Sequence, residues 1–392
     1  MDAALYAKIL SDKNIMDLKK LGYKYPGVEM RELISLFKTG VYQSLPLWDF
    51  HGHEIVYMAN IAQVRMDAVK RLLTPQGLQG NYSLKAMEDE IASSLMIESI
   101  DFNRESVRKI LQGYAPSDEQ ENRIYGMKKG LEFIADPSVE ISEETIFSLY
   151  DMTVGQYLDG ETKLRTGEKY RHDAVYIMGQ DVEHTGLPYT KLPAYMQRLV
   201  AFIRRDSPTN DLLKAAVIHF YIAYLHPWFD GNGRMARLMH MWFLRRQGWP
   251  AVLFVPFSSY IERSRKQYYN AFTLAEKNAG LSGLMDVTPF LVYFIESVYH
   301  KLDYPAPQPD VLRIFSKALE EGAITAKEKD LWVFALSAYG DSEFSTKQLE
   351  RDFGDAAYAT VRGFALKFVK LGLLTARQYG NRVKYTAAHK RN

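Results

Sequence analysis

One turn constrains this chain more than any other stretch: His226-Pro227-Trp228-Phe229-Asp230-Gly231-Asn232-Gly233-Arg234-Met235-Ala236-Arg237. Before it, Leu212 to Leu225 is apolar with helical periodicity, and Pro227 ends that helix by removing a backbone donor. After it, a second helical pattern runs from Met235 to Arg246, with Gly248 as its C-terminal cap. The turn is therefore a glycine loop held between two helices, and the second helix opens on it.

That arrangement suits phosphate. The first turn of a helix has unpaired N–H groups and the positive end of the macrodipole. Gly231 and Gly233 let the backbone approach a ligand closely. Arg234 and Arg237, three residues apart, are neighbours on the helix and offer two guanidinium forks to successive phosphates. Asp230 is a hard oxygen ligand of the kind that holds Mg²⁺ against phosphates. His226 has the ordinary pKa best placed for general base work near neutrality. Together they form a nucleotide-phosphate cradle with a base beside it.

The same twelve residues resemble the signature of the Fic family, His-Pro-Phe-x-(Asp/Glu)-Gly-Asn-Gly-Arg-x-x-Arg, with Trp228 in place of Phe. The resemblance implies a mainly α fold, a helical core with a β-hairpin flap. It also implies an AMPylator, which moves AMP from ATP to a protein hydroxyl and releases pyrophosphate. His226 would then be the base, and Asp230 would hold Mg²⁺. Gly231, Asn232 and Gly233 would form the anion hole at the α- and β-phosphates. Arg234 and Arg237 would bind the outer phosphates. The related Doc proteins, which phosphorylate instead, carry Lys where this chain has Gly233.

Three further segments extend the resemblance. Tyr170 to Gly179 reads as a strand turning at a hairpin and resembles the Fic flap, which pairs with an extended target by strand addition. Met178, Gly179, Gln180 and Asp181 would lie over the nucleotide, and the target protein, which the sequence does not identify, would dock there. Tyr268 and Tyr269 occupy the place of the tyrosines lining the family's adenosine pocket, while Glu276 stands where the family often has Asn. Ser93 to Ser99 resembles the inhibitory helix, with Ser94 and Glu98 at its two fixed positions and Ser99 in place of Gly or Asn. The implied role of Glu98 is to pair with Arg237 and block the γ-phosphate position, giving a self-inhibited enzyme that also modifies itself when released.

Composition limits the remaining choices. The net charge of +2 is too close to neutral to point to a polyanion partner for the whole chain. The absence of cysteine excludes disulfides and thiolate metal sites. No apolar run approaches a membrane span, and the first residues lack a signal pattern, so a bacterial cytoplasmic protein without a membrane partner is expected.

Four regions are expected. Residues 1–118 form a helical N-terminal region, helical and charged to about 45 and then two long helices carrying the inhibitory segment. Residues 119–304 form the Fic-like core, and 305–309 a stiff proline linker. Residues 310–392 read as three helices and two strands around Tyr379-Gly380-Asn381, which resembles a winged helix-turn-helix. Its basic residues, with Tyr358, Arg362 and Lys367 on the third helix and Arg382 and Lys384 on the wing, leave DNA and protein contacts, including a homodimer, as open partners. The alternative function is a winged-helix regulator whose core only senses nucleotide.

Overall fold

Apolar residues recur at helical spacing through most segments, and the chain is mainly α. The computed structural model describes all residues except 74–83, 179–182, 207–208, 303–308, 340–342, 381 and 389–392. Among the described residues the only sheets are three antiparallel two-stranded hairpins.

The N-terminal helices are α1 (Ala3–Leu10), α2 (Leu18–Lys24) and α3 (Met30–Gly40). Asp2 and Asp17 cap the first two by accepting the N–H groups of Leu5 and Lys20. Where helix was expected to continue, the chain instead forms a hairpin, β1 (Tyr42–Trp48) with β2 (Glu54–Met58). Its turn is fixed by Asp49, whose Oδ1 accepts the N–H groups of both His51 and His53. The register breaks between Leu45 and Trp48, around Pro46, which has no N–H to give. Three helices rather than two then follow: α4 (Met66–Leu73), α5 (Leu84–Ile97) and α6 (Arg104–Leu111).

The core begins with α7 (Glu119–Ala135) and α8 (Glu143–Thr153). A hairpin of β3 (Tyr176–Met178) and β4 (Glu183–Thr185) is next, with Tyr176 opposite Thr185. The strand starts six residues later than Tyr170 because Tyr170 and Arg171 turn inward; the Tyr170 hydroxyl donates to Glu143 at 2.8 Å. Then come α9 (Leu192–Arg204), α10 (Asp211–Leu225), α11 (Asn232–Arg246), α12 (Phe257–Arg263), α13 (Arg265–Ser282) and α14 (Thr288–Tyr293). Helix α10 is buried on nearly every side, and it packs against α11 at the centre of the largest apolar cluster. This central pair holds the loop between its two members.

The C-terminal region comprises α15 (Pro309–Glu320), α16 (Ala326–Tyr339), α17 (Thr346–Phe353) and α18 (Tyr358–Lys370), then β5 (Leu374–Tyr379) paired with β6 (Arg382–Ala387). It has its own apolar cluster around Trp332, Phe364 and Phe368, and α16 packs against α5. Tyr358, Arg362 and Arg382 are exposed, whereas Lys367 is bonded to Glu328 and Lys384 lies 3.7 Å from Glu343. Most of the proline linker lies outside the described residues. No described helix is long and apolar enough to cross a membrane.

Candidate active site

The loop is built from its backbone outward. His226 ends α10 in the left-handed region, at φ 52° and ψ 62°. For a residue with a Cβ that conformation costs about 1–3 kcal/mol, so the surroundings must impose it. Trp228 is fully buried and stacks on Tyr150 at 4.5 Å, with the rings 8° apart. Its indole N–H donates to the Lys169 carbonyl at 3.0 Å. The Tyr150 face gives the large indole a flat partner.

Asn232 closes the loop. Its amide oxygen accepts the Trp228 N–H at 3.0 Å and its amide nitrogen donates to the Trp228 carbonyl at 2.8 Å. That side chain is committed to the loop, so Asn232 has its backbone N–H to offer a phosphate. Gly231 sits at φ +79° with Val154 against it, where a Cβ would come within 2.6 Å of Val154 Cγ2. Helix α11 starts at Asn232, three residues before the expected Met235, so its open first-turn N–H groups belong to the Asn-Gly-Arg run itself.

Both arginines are buried, at 2% exposure each. Arg234 donates through Nη2 to Asp230 Oδ2 and through Nε to Glu98 Oε2, both at 2.9 Å. Arg237 donates through Nη2 to Glu98 Oε1 at 2.6 Å and through Nε to the Ser94 hydroxyl at 2.9 Å. A single carboxylate thus bridges the two guanidinium groups. Burial alone would lower the pKa of Arg234, but Glu98 and Asp230 offset it and hold the group above its ordinary value. Asp230 is about half exposed beside the cradle, and no group of three or more acidic, histidine or cysteine side chains placed to hold a metal ion occurs among the described residues. One half-exposed carboxylate, which also accepts from Arg234 and the Gly231 N–H, fits an ion that takes its other ligands from phosphate and water, as Mg²⁺ does.

Helix α5 delivers the segment that carries Ser94 and Glu98. Glu98 lies one residue past its end, and Ser99 turns left-handed at φ 56°. That backbone is one that Gly or Asn adopts more readily than Ser. Arg265 supports the turn, donating to the Met96 carbonyl at 3.1 Å and the Ser99 hydroxyl at 2.9 Å. Farther back, Glu90 is buried and accepts from both the backbone and the hydroxyl of Ser258. Tyr269 is partly exposed and donates to the Ile97 carbonyl at 3.2 Å. Tyr268 is buried instead, with its hydroxyl 2.9 Å from His219 Nε2 and its ring among Phe272, Phe290 and Tyr293.

Of the flap residues, Met178 closes β3 opposite Glu183, while Gly179, Gln180 and Asp181 lie outside the described residues. Arg171 and Arg265 escaped the sequence reading. A single arginine in a polar stretch carries no spacing signal, and all of their acceptors but Asp173 are remote in sequence. Arg171 lies inside the stretch that reads as a strand, Tyr170 to Gly179, where nothing sets it apart.

The Fic/DOC family model matches residues 140–244. The chain is 24% identical over 245 residues to Protein adenylyltransferase Fic of Drosophila yakuba, covering 61% of this chain and 46% of that protein. It is 25% identical over 257 residues to the Drosophila erecta protein of the same name, covering 62% and 48%. The chain thus spans less than half the length of these relatives. A solved Fic family protein from Desulfovibrio desulfuricans G20 superposes with a TM-score of 0.48 at 21% identity, over 82% of this chain and 91% of that one. The matched segment runs from α8 through the base, the glycine loop and both arginines, so the likeness to the Fic/DOC family covers the stretch that holds the candidate site.

Proposed function

We propose that the chain transfers AMP from ATP to a hydroxyl side chain of a target protein, itself included, and that Glu98 restrains it. The target oxygen attacks the α-phosphorus, the bond from that phosphorus to the bridging oxygen breaks, and pyrophosphate leaves. His226 takes the hydroxyl proton. The first-turn N–H groups of α11 bind the phosphate oxygens, and Arg234 and Arg237 neutralise the outer phosphates. Asp230 would hold Mg²⁺, which screens the charge of the triphosphate when bound. The exposed edge of the β3–β4 hairpin receives the target backbone.

The observation that carries this reading is the Glu98 carboxylate bridging two buried guanidinium groups at a helix N-terminus. A carboxylate there is a stand-in for phosphate, and it occupies the ground that a γ-phosphate needs. The test is mass spectrometry of the protein and of Glu98→Gly after incubation with ATP and Mg²⁺, with His226→Ala as control. An added AMP on Glu98→Gly, little on the parent and none on His226→Ala is expected. An unmodified Glu98→Gly, given substrate proteins as well as itself, would overturn the reading.

A further inference from the structure

We propose that Arg171 is a positioning residue that locks the His226 imidazole to the root of the β3–β4 hairpin, an inference that rests on the transfer reading above. Arg171 is 2% exposed, and its side chain reaches three separate backbone segments. Its Nε donates to the His226 carbonyl at 2.8 Å and its Nη1 to the Asp173 carbonyl at 2.6 Å. Its Nη2 donates to the Leu187 carbonyl, and its own backbone N–H donates to the Pro227 carbonyl at 2.9 Å. Asp173 and Leu187 are the two feet of the hairpin, just before β3 and just after β4.

These are costly acceptors for a buried cation. Burial lowers the Arg171 pKa to about 10, and the side chain donates its hydrogen bonds to carbonyls rather than to a carboxylate. A flat fork is the one side chain that can hold three carbonyl oxygens in fixed directions at once. What it fixes is unusual backbone. The left-handed His226 peptide and the Pro227 peptide beyond it are both held by this residue, so the direction of the imidazole depends on it. Gly186, at the foot of β4, shares the space: a Cβ there would lie 2.7 Å from Val175 Cγ2, 2.9 Å from Arg171 Nη2 and 3.6 Å from His226 Cβ. Hairpin, guanidinium and base therefore pack as one unit, and the hairpin that receives the target also sets the base.

The experiment uses Arg171→Met, Arg171→Lys and Gly186→Ala in the full chain carrying Glu98→Gly. Transfer kinetics are read beside the Cε1–H NMR signal of His226, assigned by its loss in His226→Ala. For Arg171→Met, kcat should fall about 10–100-fold while KM for ATP stays within about twofold, because the base is displaced and the phosphate cradle is not. The His226 signal should move and its titration midpoint shift. Arg171→Lys should not rescue, since an ammonium cannot span three carbonyls. Gly186→Ala should give the same pattern more weakly, and it decides the matter should the Arg171 variants fail to fold. An unmoved His226 signal with unchanged kcat in any folded variant overturns the proposal. Should the Glu98→Gly parent transfer nothing, the transfer reading fails by itself, and the His226 signal still tests the clamp.

Discussion

A Cβ on Gly233 would lie 2.6 Å from Oε1 of Glu98, so the glycine leaves the space that the carboxylate fills. Gly233 sits within α11 without a left-handed backbone, and alanine there would favour the helix by about 1 kcal/mol. Gly233→Ala should therefore fold well while expelling Glu98 from the arginines. It should nonetheless stay inactive, because the same methyl stands on the rim where phosphates approach. The check is AMP transfer by Gly233→Ala beside Glu98→Gly; equal activity would show that the glycine serves Glu98 alone.

Glu98→Gly itself should raise transfer at least about tenfold, equivalent to about 1.4 kcal/mol of relieved competition. Removing the carboxylate leaves two buried guanidinium groups short of a partner until ATP arrives. ATP should accordingly raise the melting temperature of Glu98→Gly more than that of the parent. A thermal-shift titration with ATP and Mg²⁺ reads this directly, and equal shifts would mean that Glu98 does not contest the nucleotide.

The support beneath Glu98 makes a graded prediction. Arg265 holds the Met96 carbonyl and the left-handed Ser99, both on the turn that carries Glu98. These bonds are partly exposed, so their loss should cost about 0.5–1 kcal/mol. Arg265→Ala should raise basal transfer about two- to fivefold, short of the Glu98→Gly level. No rise would mean that the Glu98–arginine bridge holds the turn unaided.

The sequence showed the α10–loop–α11 unit because three strong local signals coincide there: helical periodicity, Pro227, and the glycine pair. Of the four C-terminal helices, the last three and the hairpin were readable for similar reasons, with Ser345 capping α17 and Gly380 at the turn, whereas α15 was not among the three helices expected there. The β1–β2 hairpin was not readable. Its strands are interrupted by Pro46, and its turn depends on one aspartate bonding two residues and four residues ahead. Arg171 was hidden for a different reason. Its meaning comes from carbonyls 16 and 55 residues away, which only the folded chain assembles.

That hairpin also supplies a pH test. Asp286 bridges to β2 at Val56, accepts from Thr288, and is fully buried. Burial raises its pKa from 3.8 to about 6. Between about pH 4 and 6 the native state holds a proton that the unfolded chain has released, so stability falls as pH rises through that window. Above it the cost is full, about two pH units or about 3 kcal/mol. Asp286→Asn can still accept from Thr288 without the charge. Urea midpoints should favour the variant more at pH 8 than at pH 5, and a pH-independent difference would exclude an ionised Asp286 as the cause.

The contact between α16 and α5 joins the C-terminal region to the helix that carries Ser94 and leads into Glu98. Since the two regions keep separate apolar clusters, deleting residues 310–392 should leave a folded protein that still transfers AMP. The deletion also uncovers the outer face of α5, which loosens the helix that positions Glu98. Basal transfer should therefore rise on truncation of the parent. In Glu98→Gly the carboxylate is already gone, so the same truncation should add little, and the two effects should be non-additive. Measuring all four proteins completes the cycle. Equal gains from truncation in both backgrounds would place the influence of the C-terminal region somewhere other than Glu98, and insoluble truncated protein would show that α5 needs α16 to fold.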